Sequence, residues 1–278
     1  MMLEGYLRMM GFEETQPLTY YLNYVTYSGN GKQKEEANLQ TSEFSLNSLL
    51  GKKVQFYLSG LIRCVDCGRS TKKAFGNSCY SCFIRLAKND TCMVHPETCH
   101  FLHGTCREPD WGKENCIKKH TIYLANTSGL KVGITREEPP TKRWVDQGAI
   151  QAIPILEVKD RKTAGEIEKF LANSLNDKTS WQKMIGGKPE ELNLSELRRV
   201  NLEKLPDILL KEKKAKVQNK KETSLEYPVI DYKSKKVSYK PGKILEDELI
   251  GIKGQYLLFR TCVINLRTYS GYHFTLSF

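Results

Sequence analysis

The sequence contains Cys-Val-Asp-Cys at residues 64–67 and, after eleven intervening residues, Cys-Tyr-Ser-Cys at residues 79–82. Two CxxC pairs at this separation can place four thiolates around one tetrahedral zinc ion, as in a zinc ribbon. Gly68 suits the tight turn after the first pair, because glycine adopts positive φ without strain. Four protein ligands leave no open position for water, so we expect this zinc to be structural. The predicted ligands, called the first cysteine cluster below, are Cys64, Cys67, Cys79 and Cys82.

The composition fits metal-binding cysteines in a globular protein. The chain has 278 residues, 40% hydrophobic and 27% charged, and this length favours about two domains. It has no apolar run of about 18 residues and no signal-peptide pattern, which predicts no membrane span and no export. Clustered cysteines in such a chain indicate a reducing, cytoplasmic environment, and two disulfides are the weaker alternative to zinc.

The charge of the chain points to an anionic partner. The net charge is +11, and residues 211–243 contain 11 lysines against four acidic residues. A basic protein with a zinc ribbon favours nucleic acid, DNA or structured RNA, or another phosphate-rich partner. A solvated linker is the alternative explanation of the lysine run, and an acidic protein is the alternative partner.

The residue patterns predict an α+β fold. Aromatic and β-branched content predicts one β segment at residues 1–63 and another at residues 225–278. Each is short for an independent sheet, so we expect the two to pair into one small sheet or barrel. The predicted segments between them are a zinc-binding segment (64–119), an α/β domain (120–190) and a helical, basic linker (191–224).

The α/β domain is predicted from three apolar strands followed by a helix over about 163–175. Thr163 and Glu166 form a capping-box pattern at the start of this helix. A polar helix is expected over 195–216, interrupted near Pro206 because proline cannot continue a helix. The predicted strands are 121–124, 131–134 and 153–158.

A second group of cysteines follows the first, with histidines interleaved. Such a density of zinc ligands exceeds what a core needs, and the surrounding loops contain few apolar residues. We therefore predict a second structural zinc, in which His100 or His103 could replace one cysteine. His95 is expected at the surface, and Cys262, within an apolar strand, as a buried small hydrophobe. The predicted ligands, called the second cysteine cluster below, are Cys92, Cys99, Cys106 and Cys116.

The α/β domain also carries polar residues in a suggestive order. Tyr123 lies in the first strand, Lys131 in the second and Arg143 in the segment that follows. Glu168 lies on the same helical face as the apolar Leu171, by the spacing of side chains along a helix. A carboxylate at such a position needs a metal, an arginine partner, or exposure at the edge of the apolar stripe.

This order of strands and polar residues resembles the GIY-YIG nuclease superfamily. The resemblance implies that Tyr123 and a nearby base activate water, that Arg143 stabilises the phosphate, and that Glu168 binds a divalent metal such as Mg²⁺ or Mn²⁺. Phosphodiester cleavage needs these three roles. Lys131 stands where the family has its second tyrosine, and a lysine acts as a base only if its pKa is lowered.

Two further departures concern the same resemblance. Thr121 stands where glycine is usual in the first motif. The family has another polar residue late in its pattern, for which this sequence offers only neighbouring candidates. These candidates are Asn173, Asn176 and Asp177.

Nearly the whole chain also resembles a bacterial family known as domain of unknown function 2797. The runs that carry this resemblance lie at residues 99–112, 131–136, 143–149 and 251–257. It implies that Trp144-Val145-Asp146-Gln147-Gly148 is a family hallmark, and it implies no activity. Trp144 and Gln147 beside the arginine could contact a sugar-phosphate or stack on a base, whereas core packing is the alternative role of Trp144.

Two functions follow as hypotheses. The first is a metal-dependent nuclease that uses Tyr123, Lys131, Arg143 and Glu168. The second is a zinc-containing module that docks, without cutting, on structured RNA, DNA or a ribonucleoprotein such as the ribosome. The residues expected to contact nucleic acid are Arg69, Lys72, Lys73, Arg136, Trp144 and Gln147.

Overall fold

The structure is a computed structural model. It describes residues 1–28, 36–175, 180–211, 215–232 and 237–278. Parts of the lysine run and the candidates Asn176 and Asp177 lie outside the described residues. The fold is α+β, as predicted. The chain divides into two compact units, of which unit 1 comprises residues 1–84 and 226–278 and unit 2 comprises residues 85–225.

The first stretch of unit 1 contains seven strands in its described residues. The α-helix α1 (Tyr80–Arg85) begins directly after Cys79. The strands are β1 (Met2–Leu7), β2 (Gly11–Glu13), β3 (Thr19–Tyr21), β4 (Asn23–Ser28), β5 (Glu36–Thr41), β6 (Lys53–Arg63) and β7 (Ser70–Thr71).

The described residues of unit 2 contain six α-helices and five strands. The helices are α2 (Pro109–Cys116), α3 (Thr141–Asp146), α4 (Arg161–Leu175), α5 (Trp181–Ile185), α6 (Leu194–Glu203) and α7 (Asp207–Lys211). The strands are β8 (His120–Asn126), β9 (Leu130–Thr135), β10 (Gln151–Val158), β11 (Lys216–Val217) and β12 (Thr223–Ser224).

The last four strands return to unit 1 and complete a nine-stranded, curled half-barrel sheet. Its order is β15-β14-β13-β6-β16-β1-β4-β5, with β7 paired to β6. Both terminal segments of the chain lie in this sheet, because β1 and β6 each pair with β16. The inward residues Leu7, Phe56 and Phe274 are fully buried and form part of its core. The last four strands are β13 (Ile244–Lys253), β14 (Tyr256–Phe259), β15 (Val263–Asn265) and β16 (Tyr272–Ser277).

The sheet of unit 2 places β8 at its centre. Its order is β11-β10-β8-β9, and β12 pairs with β10. All of these pairings are antiparallel. One face carries Ile122 and Leu124, which pack in a core with Ile167 and Leu171 of α4. The opposite face carries Tyr123, because successive residues of a strand point to opposite sides.

The N-terminus of α4 differs from the predicted capping box of Thr163 and Glu166. The carboxylate of Asp160 accepts hydrogen bonds from the Thr163 backbone N–H at 2.8 Å and the Thr163 hydroxyl at 2.9 Å. Asp160 therefore caps the helix, which begins two residues before Thr163. Further along, the helical stretch is interrupted between α6 and α7, at residues 204–206 around Pro206, as predicted. Lys216, the expected end of the helix, instead lies in the strand β11. None of the helices in the described parts of the chain is long and apolar enough to cross a bilayer.

Candidate functional site

The first half of the first cysteine cluster is a tight turn at the end of β6. Cys64 follows the last residue of β6, and its carbonyl accepts a hydrogen bond from the Gly68 N–H at 3.0 Å. Gly68 has φ +72°, a left-handed conformation that glycine adopts without strain. The chain then turns back, and the Cys64 N–H donates to the Arg69 carbonyl at 2.9 Å. The predicted turn at this glycine is confirmed.

The second half of the cluster comes from the start of α1. The Cys79 N–H donates to the sulfur of Cys64 at 3.1 Å, and the Ser78 hydroxyl donates to Asp66 at 2.6 Å. The four sulfurs all lie within 4.8 Å of one another, so these cysteines can bind one metal ion. None of the nine cysteines, all of which lie in the described residues, forms a disulfide. Burial raises the pKa of Cys82 to about 12, which disfavours its thiolate form. A bound Zn²⁺ would lower this pKa again and favour the thiolate.

The second cysteine cluster lies in unit 2. Cys92, Cys99 and Cys116 are buried and form a small cluster against Phe101 and Trp111. Cys106 is half-buried, and its thiol lies 3.5 Å from the Glu108 carbonyl oxygen. Burial raises the pKa of Cys92 to about 11, and the charges of Cys99 and Cys106 act in the same direction. Three of the four cysteines are therefore packed together in the interior, whereas Cys106 is only half-buried.

The histidines near this cluster occupy different environments. His100 lies at the cluster, because its ring can hold a metal together with Cys92 and Asp90. His103 is exposed. The side chain of His95 is 65% exposed, in agreement with its predicted surface position.

Tyr123, the tyrosine of the predicted nuclease-like arrangement, lies in the core of unit 2. Tyr123 is fully buried and pairs across the strands with Gly133. A β-carbon at position 133 would lie 2.5 Å from the tyrosine hydroxyl, so glycine is what allows the ring to cross β9. The hydroxyl donates a hydrogen bond to Oε1 of Gln147 at 2.9 Å. Burial raises the pKa of Tyr123 to about 12, against the opposing effect of Arg143, which hydrogen-bonds to it.

Arg143 and Glu168 complete this group, called the Tyr123 site below. Arg143 lies on α3 and Glu168 on α4, and both side chains are half-buried. Burial raises the pKa of Glu168 to about 7. The positive charge of Arg143 and a backbone hydrogen bond from Ile134 of the edge strand β9 oppose that rise. Arg143 therefore affects the pKa of both Tyr123 and Glu168, although the three residues come from three separate elements.

The other predicted site residues of unit 2 are divided between different environments. Lys131 is half-buried on β9, on the same face as Gly133. Gln147 belongs to the Tyr123 site through its hydrogen bond. Trp144 is only 3% exposed and packs edge-on against Tyr123 at 5.9 Å, so it is a core residue rather than a surface for base stacking. Arg136 lies over the ring of Trp111, beside the second cysteine cluster.

The predicted basic contacts of unit 1 are at the surface. Arg69, Lys72 and Lys73 are exposed on the chain between the two CxxC pairs. Lys73 lies 5.1 Å from the centre of the Phe75 ring. These three cations therefore lie at the surface on the loop that joins the two halves of the first cysteine cluster.

One unusual residue had no signal in the sequence. Lys253 of β13 is fully buried, and its Nζ has no hydrogen-bond partner among the described residues. The rings of Tyr227 and Tyr232 lie 5.6 and 5.7 Å from the ammonium group. Burial lowers the pKa of Lys253 to about 8. Only the tertiary fold brings these groups together, because the lysine and the tyrosines are far apart in sequence.

Replacing Lys253 by Met is expected to stabilise the protein at neutral pH. Below pH 8 the lysine is charged in both folded and unfolded chains, and its burial costs about 3 kcal/mol from the lowered pKa. Cation–π attraction to the two tyrosine rings offsets about 1 kcal/mol of this cost. Denaturant unfolding should therefore show a gain of about 2 kcal/mol that shrinks between pH 8 and 10.5, where the folded lysine is neutral. Lys240→Met, at an exposed position, is the control, and an equal gain there would contradict the explanation.

Comparison with known proteins gives a family but no activity. No curated protein and no solved structure matches the chain. One family profile matches residues 51–274, which include both cysteine clusters, the Tyr123 site and Lys253. The matched range is most of the chain. The chain therefore belongs to the family described as "Protein of unknown function (DUF2797)".

Proposed function

We propose that this protein binds nucleic acid and that the Tyr123 site hydrolyses the phosphodiester backbone with a divalent metal ion. The observation that carries the proposal is the convergence of Tyr123, Arg143 and Glu168 from β8, α3 and α4. The antiparallel strand order of unit 2, with the tyrosine strand at the centre, supports the resemblance to GIY-YIG nucleases.

Each group has a suitable chemical role. Arg143 would hold a phosphate oxygen through charge-assisted hydrogen bonds. Glu168 would bind Mg²⁺ or Mn²⁺, and the cation would favour the ionised carboxylate, whose pKa of about 7 otherwise leaves it partly protonated at neutral pH. Lys131, on the same face of the sheet as Gly133, would be the base near the attacking water. The buried Tyr123, with its raised pKa, would position Arg143 and Gln147 rather than accept a proton.

Unit 1 would contribute zinc-stabilised binding. The first cysteine cluster would hold one structural Zn²⁺, with four thiolates and no open position. Arg69, Lys72 and Lys73 on the same loop would contact phosphates without reading sequence. This role needs no contact with the Tyr123 site.

The test is cleavage by the full chain of single- and double-stranded DNA, tRNA and total RNA, with Mg²⁺, Mn²⁺ or chelator. We expect metal-dependent cutting by the wild type and a loss of at least about 100-fold in Glu168→Gln, because the metal loses its charged ligand. Glu166→Gln is the matched control. It lies two residues away on another face of α4 and should keep full activity. Unchanged cleavage by Glu168→Gln would contradict the proposed site.

A second candidate is binding without cleavage, which the complete burial of Tyr123 favours. In that case the wild type and Glu168→Gln bind equally, neither cuts, and affinity falls steeply with salt as phosphate contacts are screened. Absence of any salt-dependent affinity for these nucleic acids would exclude both candidates.

A further inference from the structure

Three side chains of different chemistry meet in the turn-rich segment that precedes β8. A carboxylate oxygen of Asp90, the sulfur of Cys92 and a ring nitrogen of His100 all lie within 4.8 Å of one another. Ligand atoms on one zinc ion lie roughly 3 to 4 Å apart, because their bonds of about 2.0 to 2.3 Å point to the corners of a tetrahedron. The three groups therefore need only small shifts to bind one metal ion together.

A left-handed turn directs His100 towards the other two groups. Gly104 has φ +71°, so the chain reverses after His100. The Thr105 hydroxyl then lies 2.8 Å from His100 Nδ1, and Nε2 faces a carboxylate oxygen of Asp90 at 3.7 Å. That second distance is too long for a hydrogen bond but suits two ligands of one metal. A histidine that binds metal through one nitrogen almost always has the other in a hydrogen bond, as Nδ1 is here.

Asp90 is held by contacts that a metal ligand can keep. Its carboxylate is paired with Nε of Arg107 at 2.7 Å and accepts a hydrogen bond from the Thr91 hydroxyl at 3.2 Å. A carboxylate has about four lone-pair sites, so these two contacts orient it and leave room for a cation. Both Asp90 and Cys92 are buried, which distinguishes this group from acidic residues that merely face solvent.

The remaining cysteines of the segment have a simpler role. No other histidine, cysteine or carboxylate in the described parts of the chain shares this close spacing with the three groups. Cys99 and Cys116 pack against Phe101 and Trp111, in a setting where a free thiol behaves as a small hydrophobe. Cys106 is half-buried. The group that the fold assembles therefore shares one residue, Cys92, with the second cysteine cluster.

We propose that Asp90, Cys92 and His100 bind one zinc ion whose fourth position is open and takes a small anion. Three protein ligands with one open position are typical of zinc that exchanges water or substrate. The side chain of His100 is 30% exposed, which gives solvent a path to the ion. One thiolate and one carboxylate balance the charge of Zn²⁺, and the adjacent Arg107 adds a positive charge that favours an anion. The site shares no residue with the first cysteine cluster or the Tyr123 site.

The zinc content of the full chain tests the ligands. Native mass spectrometry of the reduced, zinc-loaded wild type should find two zinc ions per chain, one of them in the first cysteine cluster. His103→Ala, at an exposed position three residues from His100, and Cys106→Ser should keep both ions. The variants that should each contain one ion are Asp90→Asn, Cys92→Ser and His100→Ala.

Two results would overturn the site. One is a zinc ion that is lost in Cys106→Ser but kept in His100→Ala, because the thiols would then be the ligands. The other is a wild type with a single zinc ion that Cys64→Ser removes, because that ion would belong to the first cysteine cluster.

Cobalt tests the open position, and the first step needs only the wild type, which covers the case in which a variant fails to fold. Azide added to the Co²⁺-loaded protein should change its visible absorption, because azide enters a position that no side chain occupies. The first cysteine cluster, with four thiolates, has no such position. His100→Ala should lose the azide response, and His103→Ala should keep it. A wild-type spectrum that azide leaves unchanged would overturn the proposal.

Discussion

Replacing Cys64 by Ser is expected to remove one zinc ion per chain and to unfold the loop that closes the first cysteine cluster. Serine is a far weaker zinc ligand than a thiolate, and structural zinc contributes about 10 kcal/mol or more to the folding of small sites. In unit 1 part of that loss is offset by the large sheet, so we expect a fall of several kcal/mol in the free energy of unfolding, on the order of 5. Zinc analysis and thermal unfolding measure the two effects.

Two comparisons make this result specific to the metal. Cys262→Ser changes a buried thiol of the same unit that belongs to no metal-ligand group among the described residues. It should cost about 1 kcal/mol and no zinc, as a buried polar substitution. Adding excess zinc should restore little of the stability of Cys64→Ser. A Cys64→Ser protein with its full zinc content would refute the ribbon-like site.

Replacing Gly165 by Ala is expected to destabilise unit 2 strongly, although alanine is the better helix former. A β-carbon at this position of α4 would lie 2.3 Å from the Glu97 backbone nitrogen and 2.5 Å from the Pro96 carbonyl carbon. Both are backbone atoms that cannot rotate away, so the segment must move off the helix. We expect a net loss of about 3 kcal/mol in denaturant unfolding, after the gain of about 1 kcal/mol in helix propensity.

Gly187→Ala is the matched control for this experiment. It makes the same change in the same unit, but a β-carbon at position 187 meets nothing within 4 Å. Its stability should stay within about 0.5 kcal/mol of the wild type. Equal effects at the two positions would mean that the close approach between α4 and the Pro96–Glu97 turn does not limit stability.

Local patterns were sufficient to predict much of unit 2. The strands expected at 121–124, 131–134 and 153–158 lie within β8, β9 and β10, because apolar runs bounded by turn residues have few other conformations. The start of α4 was predicted wrongly because Asp160 and Thr163 are both good capping residues. Only the hydrogen bonds of the folded chain distinguish them.

Long-range contacts explain what the sequence could not predict. Strand β13 contains Glu246, Asp247 and Glu248, charges that argue against a strand. Asp247 is nevertheless buried, because Thr261 donates to it from its backbone N–H at 2.8 Å and its hydroxyl at 2.6 Å. Sequence alone does not reveal such a partner fourteen residues away.

In the candidate site, too, some features were predictable from the sequence and others depended on the fold. Tyr123 was singled out through a resemblance, and the fold gives a physical reason for its setting, since the tyrosine ring crosses Gly133. Arg136 and Trp144 were both expected to contact nucleic acid. In the fold Arg136 lies over Trp111, and Trp144 is in the core. The environments of Arg136 and Trp144 depend on the direction of their side chains. In short helices and strands, the spacing of residues along the sequence does not give that direction.

The division of unit 1 into two stretches of chain has a consequence for synthesis on the ribosome. Strand β6 emerges early, yet its neighbours β13 and β16 follow only after the whole of unit 2. Contacts so distant in sequence form slowly, and the waiting strands expose unpaired edges. The first cysteine cluster is different, because its ligands span only residues 64–82 and need no later part of the chain. Metal capture there can order the end of β6 while the nascent sheet is still incomplete.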